Sequence, residues 1–316
     1  MPLILVIATL LLAPLAHAQP VLQATLLAEQ AEGLAQPHDA ALSPDGKLPY
    51  ATDMANSRIV VLDAMTLRNV GAFGKGSLAY PHDAEFDQAG RLLVADTGND
   101  RVAIYTVRGA QAELVGELKG LQGPEGVAVA ADGRVLVTNT RGGNISVFRD
   151  GRLEHTVGRP GTRDGEFSHP HDIDVAPDGT VYVVDSGNNR LQVFDAGLTH
   201  RASVGPELKL SGPKYLSVNG DRLWLADEYN HRILLLDGRC DRAGDFRNAV
   251  DGAADLLDRR DRFIGCRLHA RHLRADVLRR LRGLRGELLD LGRHDRESAA
   301  GISGTGRLDR GIERKQ

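Results

Sequence analysis

Three histidines share one short context. His38, His82 and His171 each sit between a proline and an aspartate, in Pro37-His38-Asp39, Pro81-His82-Asp83 and Pro170-His171-Asp172. Two further segments keep the proline and lose the histidine: Gly123-Pro124-Glu125-Gly126 and Gly212-Pro213-Lys214-Tyr215. Imidazoles that converge can hold a metal, and three protein ligands with one open position is the catalytic arrangement for zinc. Such an ion lowers the pKa of bound water or polarises a substrate oxygen. The plainer role is structural, with proline setting a turn and the following side chains bonding nearby backbone. Asp39, Asp83 and Asp172 fit either role, as acceptors that orient the imidazoles or as caps of local backbone. Glu125 and Lys214 stand where histidine stands elsewhere. They are expected to point to the same place, towards a ligand or towards one another.

The elements that must position these residues repeat. The five prolines recur at intervals of 43 to 46 residues, a period that marks a repeat architecture. Each unit opens with a short apolar run, such as Ile173-Asp174-Val175-Ala176. A tight turn follows, as at Ser43-Pro44-Asp45-Gly46 or Pro177-Asp178-Gly179, where glycine supplies positive φ. A second strand, a polar loop, a third strand and a weaker fourth complete the unit. Four short strands every forty-odd residues describe one blade of a β-propeller, so the fold class is all-β. The innermost strands of a propeller line a central channel. His38, His82 and His171 are therefore expected at one channel mouth, ringed by the polar loops and flanked by Tyr80 and Tyr215. The Asp-Gly turns fall on the opposite face.

The polar loops carry a recognisable pattern. Asp96-Thr97-Gly98-Asn99-Asp100-Arg101-Val102 and Asp185-Ser186-Gly187-Asn188-Asn189-Arg190-Leu191 resemble the signature of NHL repeats, as do Asp53 to Ile59 and Asp227 to Ile233. The third unit departs from it, reading Asn139-Thr140-Arg141-Gly142-Gly143-Asn144-Ile145. The resemblance spans residues 21 to 237 and implies an NHL propeller of six blades, of which five are recognisable. Val21 to Glu29 is expected as an extra strand that closes the ring. Arg58, Arg101, Arg190 and Arg232 are expected to bind the loop aspartates. The Pro-His segments are also similar to the zinc-ligand segments of peptidyl-α-hydroxyglycine α-amidating lyases. That resemblance implies zinc held by His38, His82 and His171, with Tyr229 as a catalytic base. It also implies an arginine and disulfides that have no counterpart in the repeated region.

Net charge is −3 at pH 7, which gives no field for nucleic acid or an acidic membrane. The apolar run Leu3 to Leu15 ahead of Ala16-His17-Ala18 reads as a signal peptide over residues 1 to 18. Its expected consequence is a periplasmic or secreted protein, a monomer with no membrane span once processed. Residues 238 to 316 hold more than half of the arginines and both cysteines, Cys240 and Cys266. Three readings stand open for this tail: a helical extension, a disordered segment, or the product of a shifted reading frame. Two functions follow from the whole: a binding scaffold for a peptide, glycan or protein partner, or a zinc-dependent lyase or hydrolase.

Overall fold

A computed structural model describes residues 32–238, Cys240, 242–247 and 265–266. The expected signal peptide, the closing strand at Val21 to Glu29 and most of the arginine-rich tail lie outside these residues. Among the described residues, no helix is long and apolar enough to cross a membrane.

The structure is all-β, with five four-stranded antiparallel blades. Blade one holds β1 (Pro37–Leu42), β2 (Pro49–Asp53), β3 (Arg58–Leu62) and β4 (Asn69–Phe73). Blade two holds β5 (Pro81–Phe86), β6 (Arg91–Asp96), β7 (Arg101–Arg108) and β8 (Gln111–Leu118). Blade three holds β9 (Pro124–Val129), β10 (Val135–Asn139), β11 (Asn144–Arg149) and β12 (Arg152–Val157). Blade four holds β13 (Pro170–Val175), β14 (Val181–Asp185), β15 (Arg190–Phe194) and β16 (His200–Val204). Blade five holds β17 (Pro213–Asn219), β18 (Arg222–Asp227), β19 (Arg232–Asp237) and β20 (Arg242–Arg247). The outer strand of blade five thus lies beyond Asp237, in the arginine-rich stretch. A two-residue strand, β21 (Gly265–Cys266), runs parallel to β1. Cys240 is buried.

Blades two, three and four are apolar on both faces because their middle strands are sandwiched between neighbouring blades. Successive side chains of a strand point to opposite faces. Leu92 and Val94 of β6 therefore join Ile59 and Val61 of blade one. Leu93, between them, joins Val127, Val137 and Phe148 of blade three. The same pattern repeats between blades three and four around Leu136, Ile145, Ile173 and Val183. Between blades four and five it centres on Val184, Leu191, Leu225 and Leu234. This explains why the middle strands read as continuous apolar runs.

The strand that opens each blade is irregular at one fixed place. In blade one, Pro37 pairs with Asp53 and Ala40 with Ala51, so His38 and Asp39 together face Thr52 alone. The same two-against-one count follows Pro81, Pro124, Pro170 and Pro213. This is a β-bulge, which bends a strand and re-aims its side chains. The first bulge residues are His38, His82, Glu125, His171 and Lys214. The second are Asp39, Asp83, Gly126, Asp172 and Tyr215. The residue before each proline also holds a left-handed backbone: Gln36, Tyr80, Gly123, His169 and Gly212 have φ of 52°, 49°, 63°, 50° and 54°.

Candidate functional site at the channel mouth

The loops after β2, β6, β14 and β18 brace the bulges. In each, the aspartate ending the second strand is buried and serves at least three donors, with Gln192 Nε2 a fourth on Asp185. Asp96 accepts from Ala79 N at 2.7 Å, Asn99 Nδ2 at 2.8 Å and Arg101 Nε at 2.8 Å. Asp53, Asp185 and Asp227 repeat the set with Asn56 and Arg58, Asn188 and Arg190, Asn230 and Arg232. The four arginines bind the loop aspartates as expected. The departing third loop reaches the same end without charge. Asn139 accepts from Gln122 N at 3.0 Å and donates to Asn144 Oδ1 and Ser146 Oγ, both at 2.8 Å.

Two of the aspartates beside the histidines cap local backbone as expected, Asp83 Oδ1 accepting from Ala84 N at 2.7 Å and Asp172 Oδ1 from Ile173 N at 2.8 Å. With Oδ2, all three reach across to the next blade. Asp83 Oδ2 accepts from Val127 N at 2.7 Å, and Asp172 Oδ2 from Leu216 N at 2.8 Å. Asp39 Oδ2 accepts from Ala84 N at 3.4 Å. Each acceptor thus binds the backbone just past the neighbouring bulge. At Gly126 the clasp is replaced by close approach: a Cβ there would lie 2.8 Å from Asp172 Cα and 2.9 Å from Thr138 Oγ1. Blades three and four are instead joined by Thr138 Oγ1, which donates to His171 O at 3.0 Å.

The first bulge residues do converge. The rings of His38 and His82 are 4.5 Å apart centre to centre, and those of His82 and His171 are 6.3 Å apart. Glu125 comes to the same place, with Oε1 at 3.9 Å from His82 Nε2 and Oε2 at 3.4 Å from His171 Nε2. Lys214 turns to Glu228, with Nζ at 3.0 Å from its carboxylate. Tyr215 enters from the fifth blade. Its ring is 4.9 Å from that of His171, and its hydroxyl lies 2.5 Å from His38 Nδ1. Blade five is thereby linked directly to blade one. Tyr215 is the tyrosine that the structure brings to the histidines. Tyr229 is exposed, and its ring covers Gly212, where a Cβ would lie 2.5 Å from Tyr229 Cδ2.

Burial and mutual repulsion govern the charges here. Burial, then His82, then Lys214 push His38 down to about 3, and the same causes, with His38 added, hold His171 well below its ordinary value. Burial first, and Glu125 next, raise the Tyr215 hydroxyl well above its ordinary value. His38 and His171 are therefore neutral imidazoles at neutral pH, beside a neutral phenol.

The three histidines are not equivalent. His82 Nδ1 lies 3.0 Å from Tyr80 O, which can only accept, and 2.8 Å from Thr97 Oγ1. Thr97 gives its own proton to Pro124 O at 2.5 Å. Nδ1 of a neutral His82 therefore carries the proton, and its Nε2 lone pair is left for the mouth. His38 Nδ1 is engaged by Tyr215. His171 Nδ1 is buried without a hydrogen-bond partner among the described residues.

Zinc takes neutral imidazole and carboxylate ligands, and two donors on one tetrahedral ion at that bond length stand about 3.3 Å apart. The donor types at the mouth fit such an ion, and the separation of Glu125 from His171 matches it. As placed, no three His, Cys, Asp or Glu side chains among the described residues enclose a common point, so occupancy requires side-chain rotation.

Comparison with known proteins places this geometry. A profile of the NHL repeat matches residues 167–194, and one described as strictosidine synthase-like, N-terminal, matches residues 110–148. NHL-repeat-containing protein 4 of Homo sapiens is 27% identical over 117 residues, 37% of this chain and 94% of that protein. A streptogramin B lyase structure superposes with a TM-score of 0.56 at 16% identity, covering 69% of this chain and 70% of that one. A nidogen/laminin complex gives 0.55 at 17% identity, covering 67% and 80%. The structures share the fold, and the repeat matches with the five blades support an NHL-type β-propeller.

Proposed function

We propose that the protein is an exported NHL-type binding scaffold that takes a peptide, glycan or protein partner at the channel mouth. The observation that carries this reading is the set of five bulges. All five aim their first side chain to one face, yet those side chains are histidine in three blades, glutamate in one and lysine in one. A purely structural position would be served by the same residue in each blade, as the loop aspartates nearly are. The fold occurs both in a streptogramin B lyase and in a nidogen/laminin complex among the structures above, so it favours neither role by itself. The test is a peptide and glycan array probed in chelator with the full chain and with Lys214→Ala/Glu125→Ala. Ligands lost in the double variant support the reading. Ligands that the variant keeps, or an array without ligands, overturn it.

A second reading, a zinc-dependent lyase or hydrolase, is favoured by the neutral imidazoles and the orphaned His171 nitrogen. Zinc would supply Lewis-acid polarisation of a substrate oxygen when bound. His82 and His171 would hold it, and Tyr215 would present a protonated phenol beside them. Tyr229, the base implied by resemblance, would act only from the exposed rim. Zinc content after purification without chelator, and a thermal shift on adding zinc, test this reading. A chain with neither excludes it.

A further inference from the structure

One carboxylate at the mouth is left without a donor. Glu125 is the first bulge residue of blade three, and its side chain is 16% exposed. Its two oxygens lie 3.9 Å from His82 Nε2 and 3.4 Å from His171 Nε2, and no hydrogen bond reaches either oxygen among the described residues. Lys214, the only lysine among the first bulge residues, is turned to Glu228 at 3.0 Å. A mostly buried carboxylate without a cation or a donor is costly. A neutral His82 commits its proton to Tyr80 O on the Nδ1 side, so its Nε2 faces Glu125 as a lone pair. His171 Nδ1 has no hydrogen-bond partner among the described residues. The surrounding field is negative: after burial, it is Glu125, Asp172, Asp39 and Glu228 that raise the Tyr215 hydroxyl. The group that would complete this corner is positive and carries more than one N–H.

We propose that Glu125 and His82, with His171 beside them, seat a primary ammonium group of the ligand. This rests on reading the channel mouth as a ligand site, and it names the chemistry that the site takes. The 3.9 Å between His82 Nε2 and Glu125 Oε1 suits hydrogen bonds. A nitrogen about 2.9 Å from both atoms sees them about 85° apart, so two ammonium N–H bonds each miss the ideal line by about 12°. Hydrogen bonds tolerate a deviation of that size, and both acceptors reach one nitrogen without moving closer together. A quaternary ammonium brings the charge but no N–H, and an alcohol brings one donor without the charge. A primary ammonium is carried by a peptide N-terminus, a lysine side chain or an amino sugar.

The test uses the full chain in chelator at neutral pH, with nitrogen-15 in its histidines. Butylammonium chloride is titrated while the ring nitrogen shifts are followed, with butyltrimethylammonium chloride and butanol as controls. The His82 Nε2 signal should move and saturate with butylammonium and with neither control. Glu125→Gln should weaken that binding about 10- to 100-fold, the scale of a hydrogen bond to a charged group, and Glu125→Asp should recover part of it. Circular dichroism confirms that each variant folds. A titration without a saturable shift overturns the proposal, as does equal saturation by the quaternary ion or undiminished binding in Glu125→Gln. A His82 ring already doubly protonated in the free chain overturns it too, since that ring would itself answer Glu125. The array ligands name the source of the amine, by losing binding on acetylation of the N-terminus, of lysine or of glucosamine. Ligands indifferent to all three overturn the ammonium seat and leave the scaffold reading standing. An array without ligands overturns the scaffold reading, and the butylammonium titration still judges the seat.

Discussion

The loops after the second strands and the bulges in the first strands lie on the same face, side by side, and are built in opposite ways. In the loop of blade two, Asp96 is wholly buried and all of its donors are in place: a backbone amide, an asparagine and an arginine. Blades one, four and five repeat that arrangement nearly atom for atom. In the bulges the residue type changes from blade to blade, and His171 Nδ1 has no hydrogen-bond partner among the described residues. Where the repeat is kept, the buried aspartates have their donors in place and the result is stability. Where it is broken, polar groups are left over, and leftover buried polarity is costly unless something binds there.

The largest expected effect comes from breaking the kept part. Asp96→Ala leaves the guanidinium of Arg101, the amide of Asn99 and the Ala79 N–H without their acceptor. Removing one member of a buried charged pair costs about 3–5 kcal/mol. Urea unfolding should show a loss of that order. A loss below about 1 kcal/mol, the scale of an exposed ion pair, would mean that the loop is held by its backbone turn and not by the aspartate.

Much of the kept part was legible in the chain. The proline period, the Asp-Gly turns and the Asp-x-x-Asn-x-Arg loops each carry a local chemical reason, so they announce blades, turns and the arginine–aspartate pairs. The convergence of His38, His82 and His171 was legible too, because propeller geometry gathers first strands at one axis. The bulges were not. A bulge is a count of two residues against one, and that count belongs to the pairing of β1 with β2, not to either strand. Without it, the aspartates of Pro-His-Asp looked only local, although they also reach the next blade. Tyr215 was placed at the mouth only as a flanking residue. Its bond to His38 joins residues 177 apart, a contact that no spacing in the sequence announces. The Nδ1 partners that make the three histidines unequal depend on Tyr80 O and Thr97 Oγ1, one a backbone atom turned by a left-handed residue.

Acid should sharpen the contrast. His38 and His171 are held below their ordinary value of 6.5 in the fold. The unfolded chain then binds more protons than the native one below that pH, so stability falls as pH falls. The contribution is complete above 6.5 and is lost on the way down towards 3. Each histidine adds a slope of up to about 1.4 kcal/mol per pH unit in that window. Urea midpoints should therefore drop between about pH 7.5 and pH 5, and His38→Asn should flatten the dependence. A wild-type midpoint that does not move across this range would show that both imidazoles protonate without cost to the fold.

The smallest effect tests the bend that aims the mouth. Tyr80 holds φ of 49°, in the region where blades three and five place Gly123 and Gly212. A side chain there costs about 1–2 kcal/mol in local strain. Glycine would relieve it, but also loosens the unfolded chain by about 0.5–1 kcal/mol relative to alanine. The ring is 56% exposed, so little packing is at stake. Tyr80→Gly should then change stability by less than about 1 kcal/mol, on the stabilising side, and Tyr80→Ala should be less stable than Tyr80→Gly. Because the carbonyl that fixes His82 is backbone, both variants should keep the His82 tautomer. Nitrogen-15 shifts of the imidazole would report it. If glycine proves worse than alanine, the tyrosine ring braces the bulge by contact, and the strained residue belongs with the kept part of the repeat after all.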